Sequence, residues 1–115
     1  MTLQMKMAEI VGRCLSSVEF VHDYIQFRFD GPCLTAITSP VLSTENGRVT
    51  DGDPGYRDGL CSEIGIKVAS VWVAHDELRI EFASSSAISV SLRDKDYLGP
   101  EAINYLASDG MITVA

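Results

Sequence analysis

Gly12-Arg-Cys-Leu-Ser-Ser-Val-Glu-Phe-Val-His-Asp-Tyr-Ile-Gln-Phe-Arg-Phe29 lies over Gly65-Ile-Lys-Val-Ala-Ser-Val-Trp-Val-Ala-His-Asp-Glu-Leu-Arg-Ile-Glu-Phe82 without a gap, at a constant offset of 53. Identities fall at Gly12/Gly65, Ser17/Ser70, Val18/Val71, His22/His75, Asp23/Asp76 and Phe29/Phe82. Apolar matches fall at Leu15/Val68, Phe20/Val73, Ile25/Leu78 and Phe27/Ile80, which makes ten agreeing positions in eighteen. In Ile25-Gln-Phe-Arg-Phe29 and in Leu78-Arg-Ile-Glu-Phe82 apolar and polar residues alternate strictly. A period of two with one apolar face specifies a half-buried strand. Strands over 15–21 and 68–74 precede these, and His22-Asp23 and His75-Asp76 occupy the turns. A third strand follows each hairpin, with Leu34 and Ala36 answering Ile88 and Val90. Links this short predict antiparallel meanders.

Upstream of each match the pattern turns helical. Leu3, Met7, Ile10 and Val11 mark one helix face, and Tyr56, Leu60 and Ile64 mark another. Asp53 is expected to cap the second helix, with Pro54 in its first turn. Gly12 and Gly65 suit the left-handed stop. The chain thus reads as an α+β fold, a single domain spanning 1–115. Two pseudo-symmetric helix-plus-three-strand meander repeats, at 3–38 and 53–92, could face each other as two sheets or join into one, and the favoured arrangement is one curled antiparallel sheet with short helices. Asn46-Gly47 predicts a hairpin inserted at 40–50. Residues 99–114 predict a final helix, opened by Pro100, and then a strand.

Composition bounds the function. Hydrophobic residues make up 46% and charged residues 22%, which is globular usage. The net charge of −7 argues against nucleic acid and anionic membranes, where Lys and Arg must neutralise phosphates. The three cysteines, Cys14, Cys33 and Cys61, are odd in number and widely spaced. That pattern suits reduced, mostly buried thiols in the cytoplasm and offers neither a disulfide framework nor a zinc site. The first twelve residues contain Lys6 and Glu9 and lack the apolar stretch of a signal peptide. The longest apolar run, Val71 to Ala74, is far too short to span a bilayer.

No catalytic, cofactor or metal motif stands out. His22-Asp23 and His75-Asp76 share two letters with the HD metal hydrolases, but turn chemistry explains the pairs as well. The stretch Gly52-Asp-Pro-Gly-Tyr-Arg-Asp-Gly59 departs from both phosphate-binding fingerprints. Tyr56, Arg57 and Asp58 within it are expected surface contacts. Arg93 and Asp96 are expected to pair, beside Tyr97, and could join the former three in one site. Trp72 falls on the outward side of its strand and Ile37 follows suit, which marks a contact face.

The segments Gly52-Asp-Pro-Gly-Tyr-Arg-Asp-Gly-Leu-Cys61 and Ser91-Leu-Arg-Asp-Lys-Asp-Tyr-Leu-Gly-Pro-Glu-Ala102 resemble those of a group of short bacterial hypothetical proteins. The strands around His22-Asp23 are similar too. The resemblance implies a bacterial cytosolic protein of unknown function and carries over no site residue. The expectation is a non-catalytic interaction domain, homodimeric or bound to another protein, with an immunity-type partner of a toxin as one version. The alternative is a small-molecule binder with a pocket in the curled sheet.

Overall fold

The computed structural model describes residues Met1–Ala115. In chain order the elements are α1 (Leu3–Met7), β1 (Ser17–Val21), β2 (Tyr24–Arg28), β3 (Cys33–Ala36), β4 (Val41–Thr44), β5 (Gly47–Val49), α2 (Tyr56–Cys61), β6 (Val68–Val73), β7 (Glu77–Phe82), β8 (Ala87–Ser91), β9 (Ile103–Leu106) and β10 (Ile112–Val114). Single 3-10 turns at Ala8–Ile10 and Asp94–Asp96 complete the list. Strands form where the alternation specified them. The ladder of β1 with β2 pairs Val18 with Phe27, and that of β6 with β7 pairs Val71 with Ile80. The two hairpins therefore share one register, displaced by 53 residues.

The α+β reading is overturned. The chain is mostly β, with 41% strand and 15% helix, and it builds two antiparallel sheets, not the single curled sheet that was favoured. The first sheet runs β1-β2-β3-β9-β10 and the second β5-β4-β8-β7-β6. A helix-plus-three-strand meander is thus not the structural unit. The Asn46-Gly47 hairpin forms, but it pairs with β8 through Leu42–Ile88. The last two strands pair with β3 through Leu34–Tyr105. An exposed meander edge leaves backbone N–H and C=O groups unpaired. Here each meander has its third strand covered by a hairpin from the other half of the chain.

That demand also overrides the helix expected over 99–107. Ile103 and Tyr105 are fully buried while Asn104 and Leu106 are not, which is a period of two. The helix start signal at Pro100 is local, and the partner that decides the segment, β3, lies some 70 residues upstream.

Two inner faces share one core. Val18, Phe27, Leu34 and Tyr105 line up across the first sheet. Val71, Ile80, Ile88, Leu42 and Val49 line up across the second. All belong to or pack against a single cluster of 22 buried residues. The sheets are stitched together where the chain crosses itself, with Cys14 facing Lys67 in an isolated antiparallel bridge. Gly12 N–H donates to Val68 O at 2.8 Å and Gly65 N–H to Leu15 O at 2.7 Å. Leu15 N–H donates to Ile66 O at 3.1 Å and Val68 N–H to Arg13 O at 2.9 Å. Gly12 and Gly65 make the entry turns at φ of +86° and +89°, a region that costs residues with a Cβ.

Asp53 does not cap α2. Its carboxylate accepts from the Thr50 N–H at 2.9 Å and the Thr50 hydroxyl at 3.0 Å, closing the turn before the helix. The helix starts three residues later, behind Gly55 at φ +81°.

Candidate functional site

The expected site residues do not converge on one place. Trp72 does face outward, 64% exposed on β6 and paired with Arg79 of β7. Tyr56 is corrected from a surface contact to a buried anchor, 3% exposed, whose hydroxyl donates to Pro40 O at 2.6 Å. Burial, with Asp51 nearby, holds its phenol above the ordinary range. Arg57 is exposed and lays its guanidinium 5.3 Å from the centre of the Phe20 ring, a cation–π distance. Asp58 is exposed at the rim of a shallow depression formed by residues 51–58.

Arg93 does not pair with Asp96. Its guanidinium lies 3.8 Å from Asp76, while Asp96 accepts from the Ser91 hydroxyl at 2.6 Å. The 3-10 turn at Asp94–Asp96 aims Asp96 back at β8, and this leaves Arg93 to the β6–β7 turn. Tyr97 donates to Leu92 O at 3.2 Å and so fastens the same turn. Arg93 and Asp96 line a polar cleft with Asp76, Glu77 and Ser89, and that cleft shares no lining residue with those around Tyr56, Arg57 and Asp58. No single cleft therefore gathers all five residues.

A cleft with a volume of about 520 Å³ opens where the β1–β2 hairpin meets α2. Phe20, Ile25, Ala36, Ile37, Tyr56 and Leu98 supply apolar wall. His22, Asp23, Asp51 and Arg57 supply the polar mouth. Ile37 is thus half-buried in a cleft wall and stands apart from the Trp72 face. His22 and Asp23 approach to 3.6 Å with side chains 95% and 83% exposed, as free turn residues do. No three His, Cys, Asp or Glu residues lie grouped as metal ligands would. The cysteines are unbridged, and only Cys33 is fully buried. Burial raises its thiol pKa, so it is a poor nucleophile. Cys14 is half-buried and Cys61 exposed, where mostly buried thiols were expected.

Three further side chains gain their meaning only from the fold. The Gln4 carboxamide lies along the free edge of β6, with Nε2 donating to Val71 O at 2.9 Å and Oε1 accepting from Val73 N–H at 2.6 Å. Glu9 accepts from the Tyr105 hydroxyl at 2.6 Å and from the N–H and hydroxyl of Ser108. Glu63, 5% exposed, accepts from the Ser84 hydroxyl. Their partners lie 21 to 99 residues away, and no local pattern signals them.

Fold and surfaces together define a two-sheet β domain with one outer edge capped by a side chain, an exposed tryptophan, and an open cleft beside the β1–β2 hairpin of the other sheet. Comparison with protein-family models, curated proteins and solved structures finds no match.

Proposed function

We propose that this chain is a non-catalytic protein-interaction domain that forms a homodimer through the outer face of its second sheet. The observation that carries this is Trp72, 64% exposed on β6 and flanked across the ladder by Arg79. Interface hot spots are enriched in Trp, Tyr and Arg, and Trp buries a large area with only two rotors to freeze. A face that meets its own copy about a twofold axis needs only one such patch. A bacterial, cytoplasmic setting belongs to the same proposal, and three unbridged cysteines support the cytoplasm. No helix is long and apolar enough to cross a membrane.

Light scattering across a concentration series tests the dimer. The wild type is expected at twice the chain mass, and Trp72→Ala at the chain mass with an unchanged melting temperature. A wild type that stays monomeric at millimolar concentration overturns the dimer.

A second reading, a small-molecule binder, draws on the cleft of about 520 Å³, which falls within the size range of ligand sites. Its place is the end of the fold, because the interior between the sheets is filled by residues such as Phe27 and Tyr105. Thermal-shift screening of a metabolite library, with Ile37→Glu as the control, decides it.

A further inference from the structure

We infer that β1 is a docking edge for an extended segment of a partner protein, one with apolar residues flanking a basic residue. This rests on the reading as an interaction domain but uses a different surface from Trp72.

Of the four outer strands, β1 and β6 end their sheets in equivalent ways. In an antiparallel ladder alternate residues turn both N–H and C=O away from the neighbouring strand. On β6 these are Val71 and Val73, and the Gln4 carboxamide satisfies both, one as donor and one as acceptor. The matching residues on β1 are Val18 and Phe20, displaced by 53. The residue 53 positions after Gln4 is Arg57, which lies over the Phe20 ring instead. A guanidinium only donates, so it cannot accept from the Phe20 N–H. No side chain of the protein bonds Val18 C=O or Phe20 N–H. The edge that is plugged on one side is open on the other. The missing group must both donate and accept at strand spacing, as an extended backbone does.

The surroundings select the occupant. Phe20, Val21 and Arg57 line the cleft together, so although α2 touches β1, open space lies beside this end of the edge. On an added strand, the residue opposite Phe20 points to the same side as Phe20 and enters that cleft. The residue opposite Glu19 points outward beside a carboxylate side chain 56% exposed, which the similarly exposed Arg28 guanidinium approaches only to 3.9 Å. A basic residue there is favoured, in keeping with a net charge of −7. A second copy is disfavoured as occupant. Pairing β1 with itself about a twofold axis at its centre sets Glu19 directly against its own copy, and like charges so placed repel.

Amide NMR of the full chain tests this with two capped peptides, Thr-Val-Lys-Val-Thr and Thr-Val-Glu-Val-Thr. The lysine peptide is expected to shift the Val18 and Phe20 amides and to bind about fivefold tighter than the glutamate peptide. Glu19→Lys is expected to reverse that order. Arg57→Gln should restore the plug that Gln4 provides on β6, and abolish binding while leaving the spectrum of the core unchanged. Equal binding of the two peptides, or no shift at Val18 and Phe20 with either, overturns the proposal. Self-association that Arg57→Gln abolishes would also overturn it, by making a second copy the occupant. Trp72→Ala is expected to bind the lysine peptide as the wild type does. A failed Trp72 dimer and a failed β1 edge therefore give different results.

Discussion

Glu9 joins the first residues of the chain to its last hairpin. Burial alone would raise its carboxyl pKa, but hydrogen bonds from Ser108 and Tyr105, helped by Arg13, hold it below the ordinary carboxylate range. A depressed pKa in the folded state means stability that is present above the ordinary value and lost as pH falls through the depressed one. Glu9→Ala also strands the hydroxyl of Tyr105, a residue with no exposed surface. The substitution is expected to cost about 1–3 kcal/mol at neutral pH. That cost should shrink in strong acid, as urea unfolding at both pH values will show. At the other end of the scale, burial raises the phenols of Tyr105 and Tyr56. Their contribution is complete below the ordinary phenol value of about 10 and declines as pH climbs above it. Far-UV circular dichroism followed into alkali should therefore show loss of structure above that point, and Tyr56→Phe should delay it.

Among the elements, α2 carries a glycine at its centre, a poor helix former. The reason is close packing: a Cβ at Gly59 would stand 2.6 Å from the Leu42 Cδ2 atom of β4. Leu42 is 1% exposed and has little room to yield. Gly59→Ala is expected to destabilise by about 1–3 kcal/mol despite its better helix propensity, measurable by urea denaturation. The same contrast between local signal and distant partner explains how much of the fold was legible in the sequence. The hairpins at His22-Asp23 and Asn46-Gly47 were readable because turn and alternation lie within a dozen residues. The strand at Ile103–Leu106 was not, because its pattern is brief and the edge it covers belongs to the other half. Of the candidate surface, Trp72 was legible from strand alternation alone. The open edge of β1 was not, since it depends on what Gln4 does at β6 and Arg57 fails to do at β1.

At the scale of the whole molecule, neither half completes a sheet. Residues 1–52 supply the β4–β5 hairpin to the second sheet, and residues 53–115 supply the β9–β10 hairpin to the first. The shared core of 22 residues spans both halves, so the domain should unfold in one cooperative step. Coincident urea transitions by Trp72 fluorescence and far-UV circular dichroism will check this.

The crossing at Cys14 and Lys67 joins the halves through hydrogen bonds that do not depend on the peptide link between them. A polypeptide interlocked in this way tolerates a missing covalent connection. Two separately made pieces, cut between residues 52 and 53, should each be unstructured alone and recover native NMR dispersion on mixing. Such a split pair would report on the proximity of whatever proteins were fused to its pieces.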